Sequence, residues 1–175
     1  MTTAAAGPMT KAEEHLADML ADCPTFRTLS GTVSRAKARG KIFLDELPVP
    51  EGEVYELAEL ADYRPCAVIG SDPEGGCRVR VDSMNSAGSG GAIICTLFDS
   101  VSEEIIAHPS EAKRRFKNAV GGIVGDLVDL RAGQSHEHLL FRDIDPVLMG
   151  DPDETALKEQ GVYLWAQLHV LWGRE

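Results

Sequence analysis

The chain has 175 residues, 28 of them Asp or Glu against 17 Lys or Arg, a formal net charge of -11, with 43% hydrophobic and 26% charged residues. That length can bury one core without disulfide staples, and no apolar run approaches the roughly 20 residues that cross a bilayer. The acid excess argues against a surface that neutralises nucleic-acid phosphates, because such binding needs clustered Lys and Arg.

The opening "MTTAAAGPMT" has neither a basic start nor an apolar stretch, so it reads as a flexible tail over residues 1–9 and not as a signal peptide. A single domain over 10–175 follows. "TKAEEHLADMLADC" spaces Thr10 and Glu13 as a capping box and sets Leu16, Met19, Leu20 and Cys23 on one helical face, with Pro24 as the stop. "PTFRTLSG" and "TVSRAKARG" predict two short helical turns ending at Gly31 and Gly40. "KIFLDELPVP" is a short strand closed by prolines, and "EGEVYELAELADY" has the composition of a further helix.

Pro65 forces Arg64 into extended backbone that leads into the strand "CAVIG". "CRVRVDS" and "GAIICTLFDS" then pair as an antiparallel hairpin. The segment between them, Met84, Asn85, Ser86, Ala87, Gly88, Ser89, Gly90 and Gly91, reads as a long loop kept for contact.

A second long helix opens with Pro109 at its first position. Ala112, Phe116, Ala119, Val120, Ile123, Leu127 and Leu130 follow its period to a stop at Gly133. Gly121, Gly122 and Gly125 inside it each cost about 1 kcal/mol against alanine, which implies close approach by another backbone. "HEHLLFRDI" and the terminal "GVYLWAQLHVLWGRE" supply two more strands. In the last, Val162, Leu164, Ala166, Leu168, Val170 and Trp172 form one apolar face, and Tyr163, Trp165, Gln167, His169 and Leu171 form a mixed one. The predicted class is α+β: a largely antiparallel sheet of four to six strands with two main helices packed on one face.

Catalytic and cofactor signatures are weak. "GSGG" lacks the Lys and Ser or Thr of a phosphate loop and opens a strand, and the helix glycines do not sit at a strand-to-helix turn, so neither carries a nucleotide. His136 and His138 in "HEH" lie on one side of a strand, a spacing compatible with metal ligation, but no third ligand is identifiable. The four cysteines, Cys23, Cys66, Cys77 and Cys95, never form a C-x-x-C pair and read as free thiols. No metal, no cofactor and no enzymatic activity are therefore expected. Two basic clusters, Arg35, Lys37, Arg39 and Lys41, and Lys113, Arg114, Arg115 and Lys117, read as solvated faces; Lys113, Arg114 and Lys117 alternatively form a docking patch for an acidic protein partner.

The helix at "TKAEEHLADMLADC", the Arg-Pro strand "YRPCAVIG", the hairpin with a long tip, the second long helix and the closing "YLWAQLHVLWG" together give an order of elements that resembles the tail terminator proteins of long-tailed bacteriophages. The likeness spans about residues 10 to 173. It implies a virion structural protein, assembled in the host bacterial cytoplasm and forming a ring, usually a hexamer, that ends the tail tube and joins it to the head connector. Cyclic closure needs two different, mutually fitting patches on each subunit. On this reading Tyr163 and Trp165 are rigid aromatic anchors at a subunit or ring interface, with Arg78 and Arg80 near them. The Met84–Gly91 loop meets tube or connector proteins, and the acidic lumen lets genomic DNA pass without specific binding. Other readings are a head completion or neck connector protein built on a similar plan, or a small α+β enzyme or ligand-binding domain using His136, His138 and His169.

Overall fold

A computed structural model describes residues 7–47, 63–72, 77–81, 87–99, 108–133, 140–149 and 164–174. In chain order these form α1 (Pro8–Asp22), α2 (Pro24–Leu29), α3 (Arg35–Arg39), β1 (Ile42–Leu44), β2 (Cys66–Ser71), β3 (Cys77–Val81), β4 (Ala87–Phe98), α4 (Pro109–Gly133), β5 (Leu140–Met149) and β6 (Trp165–Arg174). The predicted helix at "EGEVYELAELADY" lies outside the described residues, apart from Tyr63.

The strands make one six-stranded sheet in the order β1-β2-β4-β6-β5, with β3 also paired to β4. Among the described residues only β1 and β2 run parallel; the other pairings there are antiparallel. β4 is the central strand. Its second half pairs β2 from Ile93 to Phe98, its first half pairs β3 from Ala87 to Gly91, and β6 lines its other edge from Ser89 to Phe98.

Period-2 alternation then decides what is covered. Ala67 and Ile69 of β2, Ile93, Cys95 and Leu97 of β4, and Ala166, Leu168, Val170 and Trp172 of β6 share one face, and all are buried. Against that face lie Ala12, Leu16, Met19 and Leu20 of α1, Phe26 of α2, and Ala112, Phe116, Val120, Ile123 and Leu127 of α4. The α+β class and the helices on one face are thus as the sequence predicts. Each fully buried Leu, Ile or Phe here contributes about 1.5–3 kcal/mol relative to exposure.

Local chemistry sets the helix ends. α1 begins at Pro8 with Gly7 as its N-cap and no side-chain cap, so Pro8 and Met9 belong to the helix and not to a tail. The expected Thr10–Glu13 capping box does not form. Both residues lie inside the helix, and Glu13, only 5% exposed, instead accepts a hydrogen bond from Ser71 Oγ at the end of β2. Pro24 both ends α1 and opens α2. Gly31, at φ 65°, closes α2 in a Schellman motif, with Thr32 N–H donating to Arg27 O at 2.9 Å and Gly31 N–H to Thr28 O at 3.2 Å. Ser34 caps α3 by accepting from Lys37 N–H at 3.4 Å. Gly40 follows α3 with ordinary right-handed backbone, so its position as a stop is as predicted but no left-handed turn requires glycine there.

One contact ties α2 to α4 over a long sequence separation. The Thr25 N–H donates to Asp126 Oδ2 at 2.8 Å, a carboxylate supplied across the interface to an otherwise orphaned donor in the first turn of α2. At the same crossing a Cβ on Gly122 would lie 2.9 Å from Thr25 Cγ2, whereas Gly121 and Gly125 would meet nothing within 4 Å. Of the three glycines expected to permit close approach, only Gly122 does so among the described residues.

These glycines separate in a denaturation series. Gly121→Ala and Gly125→Ala are expected to raise unfolding stability by about 0.5–1 kcal/mol each, as open helix positions do. Gly122→Val, which must push Thr25 aside, is expected to lose about 1–3 kcal/mol. Asp126→Ala should cost about 0.5–2 kcal/mol through the lost cap. Urea midpoints for the four variants check the order.

Candidate functional site

Two surfaces remain once the core is assigned. The first is the sheet face turned away from the helices. Cross-strand rows place Cys66, Phe98 and Trp165 side by side, then Val68, Thr96 and Gln167, then Gly70, Ile94 and His169, then Ala92 and Leu171. Phe43 of β1 extends the second row beside Val68 and meets Tyr63 edge to face, ring centroids 5.6 Å apart. Trp165, Phe98, Ile94, Val68 and Phe43 are half-buried, and Leu171 is 40% exposed. β5 continues this face beyond β6, with Asp145 at the register position of His169 and Asp143 at that of Leu171.

This face is mixed: Phe43, Val68, Ile94, Phe98, Trp165 and Leu171 share it with Thr96, Gln167 and His169. His169 carries the one unusual polar atom: its Nε2 is buried and has no hydrogen-bond partner among the described residues. Among those residues no group of three or more His, Cys, Asp or Glu is placed to hold a metal. His136 and His138, the sequence candidates for a metal pair, lie outside the described residues, as does Tyr163.

Trp165 stands on the outward face, as the alternation of β6 predicts, but the expected proximity of Arg78 and Arg80 is wrong. Arg78 pairs with Gly90 and Arg80 with Gly88, at the start of β4, while Trp165 pairs with Phe98 at its end. Eight residues of extended strand separate Gly90 from Phe98, about 27 Å. The sequence error came from treating "GAIICTLFDS" as a short strand. β4 is twelve residues long, so β2 and β3 occupy successive halves of the same edge.

The predicted contact loop is corrected for the same reason. Ala87, Gly88, Ser89, Gly90 and Gly91 are strand residues paired to β3; Met84, Asn85 and Ser86 lie outside the described residues. Gly90 has a packing role. A Cβ there would come within 3.0 Å of the Trp172 carbonyl oxygen on β6. A glycine-rich stretch signals a loop only when its backbone has no partner, and here it lets two strands draw close.

The second surface is the solvent side of α4. A cavity of about 380 Å³ at its N-terminal end is lined by His108, Glu111, Ala112, Arg114, Arg115 and Asn118. Arg114 and Lys117 of the predicted docking patch are exposed, and Lys113 is half-buried. The other basic cluster is engaged within the fold. Arg35 Nε sits 2.9 Å from Asp22 Oδ1 and Arg39 Nε 3.2 Å from Asp18 Oδ1, while Lys41 Nζ donates to Tyr63 O at 3.1 Å. Arg35 and Arg39 thereby fasten α3 to α1, while Lys37 is exposed.

Three cysteines are free and buried. Burial, with the carboxylates of Asp126 and Asp22 nearby, pushes the Cys23 thiol up to about 12. Burial beside Cys23 does the same to Cys95, also about 12. Burial raises Cys66 to about 11, against the opposing pull of Lys41 and Arg64. Such thiols are poor nucleophiles and poor metal ligands at neutral pH.

No protein-family model matches the chain, and none of the curated proteins matches it.

The thiols give a pH prediction. Their folded values lie above the reference value of 9.0, so the neutral thiols favour the folded state fully below that value. This contribution is lost as pH rises through it toward 11 to 12. Unfolding stability is expected to hold up to about pH 9 and fall above it. In a Cys77→Ser background, a thiol reagent at pH 8 should label the remaining cysteines only as fast as the protein unfolds.

Proposed function

We propose that the chain is a structural protein of a long-tailed phage virion, a ring subunit that ends the tail tube and joins it to the head connector. The observation that carries this reading is the outer sheet face, where Trp165, Phe98, Ile94 and Val68, each half-buried, stand beside the exposed Leu171 on the side away from the helices. Trp165 is part-exposed at the edge of that face, and rigid aromatic side chains of this kind are what interface cores are made from.

The order of elements supports the same reading. Helices cover one side of a mainly antiparallel sheet, and on this reading the part-exposed residues of the other side supply contacts between copies and layers of a hexameric ring. The chemistry is then confined to those contacts, without catalysis or a cofactor. The surplus of acidic residues, a net charge of -11, suits a ring whose lumen passes DNA and does not hold it. Tube and connector proteins are the partners, the assembled virion is the location, and assembly takes place in the host cytoplasm.

A second reading, a small ligand-binding domain, has one observation behind it: the unpartnered, buried Nε2 of His169 on this face. The two readings part at that residue. If the imidazole only packs, His169→Leu removes a polar group left without a partner and holds or raises stability. If it takes a ligand, His169→Leu abolishes the thermal shift that the ligand produces.

Particles lacking the chain decide the main reading. Negative-stain images are expected to show tails of uncontrolled length or tails without heads. Normal tails on empty, leaking heads would point instead to a head completion role. Trp165→Ser should reproduce the defect in the particle while the purified variant keeps its circular dichroism and cooperative unfolding. The buried Trp172→Ala, by contrast, is expected to lose about 3–5 kcal/mol of stability.

A further inference from the structure

We propose that the two opposite edges of the sheet pair with each other between copies of this chain. β5 of one copy runs antiparallel beside β3 of the next, with Asp143 and Asp145 set against Arg80 and Arg78. This contact is the subunit boundary of the ring proposed above, and it rests on that reading for closure into a ring.

The strand order puts β5 at one edge of the sheet and β1 and β3 at the other. Among the described residues β5 pairs with β6 alone and β3 with β4 alone, while β1 lines β2 without reaching β3. Such edges carry backbone donors and acceptors that a further strand satisfies. Their directions match. β3 and β6 both run against β4, and β5 runs against β6. When the sheet continues from one copy into the next, β5 therefore meets β3 antiparallel, the pairing with the better hydrogen-bond geometry.

Charge selects the occupant and the register. Asp143 stands opposite Leu171 and Asp145 opposite His169, which places both on the outer face. Arg78 stands opposite Gly90 and Arg80 opposite Gly88, positions in the same alternating set of β4 as Ile94 and Phe98, so they belong to that face too. Two acids and two bases thus share one spacing and one face at opposite edges. A single register pairs Asp143 with Arg80 and Asp145 with Arg78, and its middle rung sets Ile144 beside Val79 on the inner face. Opposite charges directly across a ladder stabilise it, and like charges oppose it. Pairing β5 with β5 across its centre would set acid against acid, and β3 with β3 base against base. The contact is consequently head-to-tail, the kind from which rings are built. Arg78 lies at the level of Gly90 and Asp145 at that of Ile94. Successive copies are therefore offset by about 13 Å along the strands, which a closed sheet absorbs by tilting them to its axis.

Sedimentation velocity on the purified chain tests this across roughly 1 to 500 µM. The expected result is association beyond the dimer, in multiples of 18.9 kDa, that weakens as salt is raised. Arg78→Asp with Arg80→Asp, and separately Asp143→Arg with Asp145→Arg, should each weaken association by about tenfold while circular dichroism is unchanged. An equimolar mixture of the two variants should restore it, since each then meets its complement at both edges. A second measurement leaves the charges in place. In a Cys77→Ser background, Val79→Cys on one copy and Ile144→Cys on another should form a disulfide between copies under mild oxidation, because opposed strand residues lie about 4.5–5.5 Å apart. A chain carrying both cysteines should give a ladder of cross-linked multimers. A chain that sediments as a monomer throughout overturns the proposal. So do charge variants that fail to rescue each other, or the absence of a cross-link between positions 79 and 144. Tail assembly is read only in particles, so normal tails made without the chain would sink the ring reading and leave these results standing.

Discussion

The pairing of β4 with β6 is the constraint on which the rest of the molecule depends. Ten consecutive residue pairs, Ser89 with Arg174 through Phe98 with Trp165, fix the register. A shift of one residue would turn Leu168, Val170 and Trp172 outward and bring Gln167 and His169 under the helices, at a cost of several buried side chains. Everything laid over the inner face follows from that register: α1 and α4 lie where Leu168, Cys95 and Ile69 form a continuous apolar row. The outer face is equally a product of it, because the same ladder that buries Trp172 leaves Trp165 on the other side.

Along α4 the core fixes one stripe, and the three glycines of the helix differ in what that packing asks of them. Gly122 is small because Thr25 and the first turn of α2 sit against it, and Asp126 stays close because Thr25 N–H needs an acceptor. Gly121 and Gly125 answer to neither demand. The distinction between a glycine required by its own fold and a glycine left open on a surface exists only in three dimensions.

Much of the scaffold was legible because it rests on periodicity. The inward set of β6 from Leu164 to Trp172, the core face of α4, and the short helices ending near Gly31 and Gly40 follow from apolar spacing and turn residues. What escaped the sequence was whatever depends on pairing partners. Glycines 88, 90 and 91 looked like a loop because composition does not say whether a backbone has a neighbour, and β3 supplies one. Glu13 looked like half of a capping box because Thr10 stands three residues before it, but the helix starts earlier and Ser71 takes the carboxylate. The distance between Trp165 and the Arg78 and Arg80 positions was hidden in the length of β4. Cations at 35 and 39 looked free until Asp18 and Asp22 of α1 came alongside.

The division of β4 between two neighbours carries a mechanical consequence. From Ile93 onward its partners are strands whose side chains are locked beneath helices, so that half cannot part without disrupting the core. From Ala87 to Gly91 it is joined to β3 by five rungs, and the residues it contributes are alanine, serine and glycines. On the opposite edge Ser89, Gly90 and Gly91 remain paired to β6, Gly91 beside the buried Trp172, so this stretch is held from its other side. One continuous strand thus keeps a single ladder to β6 while its other edge changes partner, and amides of the short β3 ladder can exchange by local opening without unzipping the β4–β6 pairing.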